Sequence, residues 1–212
     1  MLTVHHLGIS QSDRIVWLCE ELGLEYNLDK HDRDPETGGG PASYKALSPF
    51  GTAPVITDGD LVLGESGAII EYLIHRYGNG KLSVAPGQPN YPDYLYWFHF
   101  ANASLMSAGM VELAMRFAGL EEAPIADRLR WRGDRAFAVV NERLAQTPYF
   151  AGDEFTAADI IMMFPLTTMR MFAPRDITPF PHLRAYLQKI VQRDAFKRAL
   201  AKADPDLQPK ID

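Results

Sequence analysis

Ser48-Pro49-Phe50-Gly51-Thr52-Ala53-Pro54-Val55-Ile56, followed by Leu61-Val62-Leu63-Gly64-Glu65-Ser66-Gly67-Ala68-Ile69-Ile70, reads as loop, proline, strand, turn, strand and helix. Pro54 has no N–H to give to a ladder, so it belongs at the mouth of the strand, where a cis bond before it is also accommodated. That leaves the N–H and C=O of Ala53 to pair with an extended, peptide-like ligand. Glu65-Ser66 stands at a helix entrance. Ser66 is expected to cap that helix, and its hydroxyl and the neighbouring N–H groups suit a carboxylate held at the positive end of the helix dipole. Together these pieces describe a pocket for a small anionic peptide.

Working outward, Leu2 to Leu7 reads as a first strand, and Asp13 to Leu22 carries Ile15, Leu18, Cys19 and Leu22 on one helical face. Gly23 closes that helix. Glu25 to His31 is a weaker second strand, and Asp32 to Pro41, with Gly38-Gly39-Gly40, is a loop. Strands at 54–56 and 61–63 form a hairpin across Asp58-Gly59, with a helix from Ser66 to Arg76 packed on it. The order is β-α-β, then β-β-α. Pro86, Gly87 and Pro89 mark a linker at 81–90. Beyond it, 94–118, 124–146, 157–171 and 181–203 carry helical periodicity, so the second half is expected to be a helix bundle. Thr156 and Asp159 fit a capping box. The expected class is α/β plus all-α: residues 1–80 as the mixed domain, 81–90 as linker and 91–212 as the helical domain.

The strand start at Ser48 to Ile56, the entrance Glu65-Ser66-x-Ala68-Ile69 and the later Gly152-Asp153-x-Phe155-Thr156-x-Ala158-Asp159 together resemble the cytosolic glutathione transferases over essentially the whole chain. The resemblance implies a thioredoxin-like first domain that lacks C-x-x-C and a helical second domain. It further implies glutathione as co-substrate, conjugation to a hydrophobic small-molecule electrophile as a detoxification reaction, and a homodimer. An ordinary thiol is only a few per cent ionised at neutral pH, so such an enzyme must favour the thiolate. A hydroxyl aimed at sulfur beside a helix N-terminus does this. Ser10, in Ser10-Gln11-Ser12-Asp13-Arg14, resembles the thiol-contacting serine of theta-like relatives. Ser12 is its local rival, and Ser10-x-x-Asp13 also matches a capping box. By the same resemblance Thr52, Ala53 and Pro54 hold the cysteinyl backbone, and Glu65 and Ser66 the γ-glutamyl end. Thr52 stands where many relatives carry Lys or Gln, and Gly40 lies near a place where some carry a basic residue. Lys45 is therefore the candidate for the glycyl carboxylate, with Arg14 and His31 as weaker options. His99, Asn102 and Met106, with Met110, recur at helical spacing and are the candidates for the electrophile site; a methionine-rich stripe also serves as core packing. A glutathione-dependent peroxidase or isomerase, or a binding protein of the same fold, stays open beside conjugation.

Composition narrows the classes further. With 212 residues and 47% hydrophobic content the chain can fill ordinary cores. A formal charge of -6 argues against general attraction to nucleic acid or to anionic membranes. The single cysteine, Cys19, rules out an internal disulfide and lies in phase with Ile15 and Leu22, which points to core packing. Met1-Leu2-Thr3-Val4-His5-His6 lacks the pattern of a signal peptide, so a cytoplasmic location is expected. The longest apolar run, Ile160 to Leu166, is too short to span a membrane. The histidines show no H-E-x-x-H or other close pair with acidic support, so no metal is expected. No phosphate-binding glycine loop indicates a nucleotide. Gly8-Ile9-Ser10-Gln11-Ser12 falls one glycine short of a hydrolase elbow.

Overall fold

The computed structural model describes residues 1–212. The elements are β1 (Leu2–Leu7), α1 (Asp13–Leu22), β2 (Asn27–His31), α2 (Ala42–Lys45), β3 (Val55–Asp58), β4 (Leu61–Gly64) and α3 (Ser66–Arg76). They continue as α4 (Tyr91–Phe100), a π-helical segment (Ala101–Met106), α5 (Ser107–Phe117), α6 (Ala126–Leu144), α7 (Ala157–Leu166), α8 (Met169–Phe172), α9 (Pro181–Ile190) and α10 (Asp194–Ala203). Two compact units contain them: residues 1–83 with 192–208, and residues 84–191 with 209–212. No helix is long and apolar enough to cross a membrane.

The first unit is a four-stranded sheet in the order β2-β1-β3-β4, with β1 and β2 parallel and the other pairs antiparallel. This is the thioredoxin-like topology. β1 is central and buried on both faces, which is why Leu2, Val4, His5, His6 and Leu7 are all shielded from solvent. On one face α1 packs against α3. Ile15, Val16, Leu18, Ile69, Ile70, Leu73 and Ile74 are fully buried there, each contributing roughly 1.5–3 kcal/mol of hydrophobic transfer. On the other face Tyr44 of α2 packs with Leu7 and Val55 and donates its hydroxyl proton to the carbonyl of His5 at 3.2 Å. Gly23 ends α1 with φ +67°, and its N–H and that of Leu24 both reach the carbonyl of Cys19. Only glycine takes that conformation without strain.

α10 lies in the first unit, packed along α1. Side-chain chemistry explains the attachment: Arg193 holds Glu21 through paired bonds of 2.6 and 2.8 Å, Arg198 reaches Glu20 at 3.1 Å and Lys202 also bonds Glu20. Trp17 meets Phe196 edge to face. The same anchoring at Arg193, which has an extended ψ of 133°, breaks the single helix expected over 181–203 into α9 and α10.

In the second unit α7 is buried on every side, as a helix apolar all round must be. α4 packs against it, α5 against α6 and α6 against α9. The capping box forms at its entrance: Thr156 Oγ1 accepts the Ala158 N–H at 3.3 Å and Asp159 Oδ2 accepts the Thr156 N–H at 2.8 Å. Asp159 Oδ1 also accepts the Phe150 N–H at 3.1 Å and the Tyr186 hydroxyl at 2.9 Å. Burial pushes the Asp159 carboxyl up to about 6, against these donors, which favour its ionised form. α7 contains Pro165 and ends at Leu166, earlier than the periodicity over 157–171 suggested, where Thr167 leaves helical geometry at φ −124° and ψ −78°.

Two outcomes follow from these cores. Thr156→Ala should cost about 1 kcal/mol and Asp159→Ala at least about 3 kcal/mol, since four buried donors lose their acceptor; urea unfolding with unchanged m-values will show both. Cys19 is fully buried and its thiol is pushed up to about 12, mainly by burial. Thiolate is the reactive form, so a thiol reagent should label no cysteine in the native protein at pH 8 and one after denaturation.

Candidate functional site

Strand register brings the separate sequence pieces to one end of the sheet. His5 pairs with Val55 and Val55 pairs with Gly64, so the carboxyl end of β1, the amino end of β3 and the carboxyl end of β4 coincide. The Ser10 loop, Ala53-Pro54 and Glu65-Ser66 are the residues that continue from those three ends. The Ala53-Pro54 bond is cis. Ala53 is half-buried beside Leu7, Tyr44 and Val55, while Thr52 is exposed. Lys45 is exposed at the end of α2, whose backbone lies against Gly51. Thr52, Ala53 and Lys45 are thus neighbours along one loop and its adjoining helix.

Glu65 and Ser66 differ from the expected cap in one detail. Glu65, not Ser66, is the N-cap of α3, with φ +67° and its carbonyl accepting the Ile69 N–H at 2.9 Å. Ser66 is the first helical residue, and its side chain is buried at 2% exposure. A left-handed φ at a glutamate costs of order 1–3 kcal/mol and is kept where the surroundings fix it. The Glu65 side chain is exposed, and its charge acts on the buried Arg14 of α1.

The loop after β1 is held more tightly than its sequence suggests. Arg33 donates to the carbonyls of Gly8 at 2.8 Å, Ile9 at 2.6 Å and Gly38 at 2.7 Å. Ile9 has φ +52°, and its N–H reaches both carboxylate oxygens of Asp204 at 3.2 Å. At the entrance to α1 the Ser10 hydroxyl accepts the Ser12 N–H at 3.3 Å. Ser12 occupies the N-cap position but has helical φ and ψ and makes no cap bond, because its hydroxyl is taken by other groups. Ser12 Oγ lies 2.8 Å from His6 Nδ1, 2.8 Å from Ser10 Oγ and 3.2 Å from the Leu7 nitrogen. His6 Nε2 lies 3.1 Å from Asp204 Oδ2. Ser12 and His6 are fully buried and Ser10 is 5% exposed, so Ser10 is the outer member of this set. Burial pushes the carboxyl of Asp13 up to about 6, against the charges of Arg14 and His6. The Asp204 carboxylate is held below its usual range despite burial, chiefly by its hydrogen bond to His6.

Residues 10–76 match the family model of the glutathione S-transferase N-terminal domain, and residues 104–194 that of the C-terminal domain. The chain belongs to the glutathione S-transferase family. The transferase is 31% identical to glutathione S-transferase 3 of Schizosaccharomyces pombe, over 96% of this chain and 88% of that protein. It is 30% identical to glutathione S-transferase GstB of Escherichia coli over 88% and 91% of the two chains. Among solved structures, a glutathione S-transferase of Actinobacillus pleuropneumoniae superposes with a TM-score of 0.89 at 34% identity, covering 100% and 95% of the chains. URE2P8 of Phanerochaete chrysosporium, solved with oxidized glutathione, shares the fold at a TM-score of 0.79 and 23% identity, over 96% and 95% of the chains. The transferase is therefore a glutathione-using enzyme.

The second unit distributes the electrophile candidates unevenly. His99 is exposed, Asn102 half-buried, and Met106 buried among Phe164, Met169 and Ala173. Met110 is 49% exposed. They differ in burial, and the π-helical segment over 101–106 interrupts the regular helical period between His99 and Met106. Two groupings escaped sequence reading altogether. His6 and Asp204 are 198 positions apart, with no local signal joining them. The parallel pairing of β1 with β2 also brings together residues distant in sequence: Asp29 Oδ2 lies 3.0 Å from His5 Nδ1 and 3.1 Å from His31 Nε2.

The strained cap allows a direct trial. Glu65→Gly should leave stability unchanged or raise it by up to about 1 kcal/mol, as relief of the left-handed φ outweighs the added chain entropy. The same variant should weaken glutathione binding measurably by calorimetry.

Proposed function

We propose that this transferase binds reduced glutathione at the convergent end of the first unit's sheet, stabilises its thiolate with Ser10, and joins the sulfur to a hydrophobic electrophile by addition or displacement. One observation carries the reading: Ser10 is the least enclosed hydroxyl of a buried polar set, in the loop that continues from the strand end beside the cis Ala53-Pro54 bond. In this reading the main chain of Ala53, flanked by Thr52 and Pro54, pairs with the cysteinyl residue as an added strand. Glu65 and Ser66 hold the γ-glutamyl end, where the α3 dipole favours its carboxylate. Lys45 takes the glycyl carboxylate. For the electrophile, His99 and Asn102 are proposed as the polar contacts and Met106 as an apolar one. Ser10 donates a hydrogen bond and is not itself the nucleophile. The protein is further proposed to work as a homodimer in the cytoplasm, where its one buried thiol stays reduced.

Ser10→Ala tests the reading. The kcat/KM for conjugation of a hydrophobic aryl halide should fall about 100-fold or more, in the range for loss of one donor to a developing anion. Glutathione affinity by calorimetry should change less than about threefold, since the lost bond serves the thiolate rather than the whole peptide. Unchanged turnover in Ser10→Ala, or no glutathione uptake by the parent protein at millimolar concentration, overturns it.

A further inference from the structure

We infer that Asp204, His6 and Ser12 form a proton relay behind Ser10, through which the thiol proton of glutathione reaches the His6 imidazole. The inference rests on Ser10 as the thiol contact and adds where the proton goes and which residues of the first unit position the donor. Its basis is an unbroken row of contacts: Asp204 Oδ2 to His6 Nε2 at 3.1 Å, His6 Nδ1 to Ser12 Oγ at 2.8 Å, and Ser12 Oγ to Ser10 Oγ at 2.8 Å. Two backbone donors fix the hydroxyls within it. The Leu7 N–H reaches Ser12 Oγ at 3.2 Å and the Ser12 N–H reaches Ser10 Oγ at 3.3 Å.

Counting lone pairs gives the direction of each bond before and after transfer. With His6 neutral, its Nε2–H donates to the Asp204 carboxylate and Nδ1 accepts the Ser12 proton. Ser12 Oγ then accepts from Leu7 N–H and from the Ser10 hydroxyl, and Ser10 Oγ keeps one lone pair for an incoming S–H. When the S–H bond breaks, its proton passes to Ser10 Oγ, the Ser10 proton to Ser12 Oγ, and the Ser12 proton to Nδ1. The products are a thiolate and an imidazolium paired with Asp204, and charge is conserved. Ser10 Oγ now accepts from both the N–H and the hydroxyl of Ser12. Both its lone pairs are filled, so its own hydrogen can only be donated outward, toward sulfur. After the sulfur bonds to the electrophile the proton returns along the same row. The arrangement shares its residue types with a hydrolytic Ser-His-Asp triad, yet Ser12 is fully buried and cannot meet an acyl substrate.

Charged groups on several elements act on His6 and Asp204. Asp204 follows α10, and Asp13 of α1 also acts on His6. Lys30 of β2, the register partner of His6, and Arg33 act on Asp204 from the other side. Asp204 also fixes Ile9 in its left-handed conformation, so one carboxylate sets both the loop and the relay. His6, Ser12 and Asp204 act through Ser10 and are positioning residues.

The test follows the ultraviolet thiolate absorbance of glutathione bound to the parent protein, Ser10→Ala, His6→Gln and Asp204→Asn as pH is varied. His6→Gln keeps a polar side chain but takes up no proton; the apparent thiol pKa should rise by at least one unit. The kcat/KM at pH 6.5 should fall tenfold or more and recover at alkaline pH, with glutathione affinity little changed. Asp204→Asn should shift the titration in the same direction by a smaller amount, and Asp204→Glu should restore part of it. A purely structural role would lower activity equally at all pH values. An unshifted titration in His6→Gln overturns the relay, as does one in Asp204→Asn should His6→Gln not fold. If Ser10→Ala leaves the bound thiol's titration unchanged, the thiol contact itself is wrong, whereas a shift in Ser10→Ala alone rejects only the relay.

Discussion

Antiparallel pairing of β3 with both β1 and β4 is the constraint on which the site depends. It sets the end of β1, the start of β3 and the end of β4 side by side, although the residues continuing from them, Ser10, Ala53-Pro54 and Glu65-Ser66, are separate in the sequence. A slip of one residue would turn every side chain to the opposite face. Burial on both sides forbids that slip: His6 would exchange the Asp204 face for the Tyr44 face, and Leu7 the reverse. The cores on the two faces therefore fix the site's geometry before any ligand arrives.

That rigidity allows conformations that the local chain resists. Ile9 and Glu65 both take left-handed φ at the sheet's functional end, each at a cost of order 1–3 kcal/mol. Ile9 is held by the guanidinium of Arg33 on its carbonyl and the carboxylate of Asp204 on its N–H. Glu65 is held because its carbonyl must begin α3, whose inner face buries Ile69, Ile70, Leu73 and Ile74. The burial of four such side chains exceeds the strain of one cap.

The sequence reveals those parts of this design that are written locally. Ser66 to Arg76 and Asp13 to Leu22 are readable as helices because their apolar residues repeat with the helical period, and Thr156 with Asp159 because a capping box spans only three positions. Periodicity fails where geometry departs from it, as in the π-helical segment that separates His99 from Met106 and in the break before α10. Resemblance singles out Ser10, whose contact with the thiol is a proposal. The residues joined to it by hydrogen bonds are not legible in the sequence, since His6 looks like an ordinary strand residue and Asp204 follows the last helix with no motif of its own. The Ser10-x-x-Asp13 pattern also suggests a cap, and the Ser10 hydroxyl accepts the Ser12 N–H at the entrance to α1, while the Ser12 hydroxyl is engaged by His6.

Attachment of residues 192–208 to the first unit then has a chemical reason beyond packing. A serine hydroxyl is far too weak an acid to ionise in a thiol's place, and a second serine merely passes a proton on. Thiolate formation behind two hydroxyls needs a group able to take a proton near neutral pH, and imidazole is the side chain suited to it. A buried imidazolium in turn needs a fixed opposite charge, because desolvating an isolated cation is prohibitive. α10 ends at that point, with Asp204 as its C-cap against His6 and Ile9. The ion pairs of Glu20 and Glu21 with Arg193, Arg198 and Lys202 clamp the helix to α1. Without that clamp the carboxylate would be free to leave His6, and the row of hydroxyls would lose the group that gives it a direction.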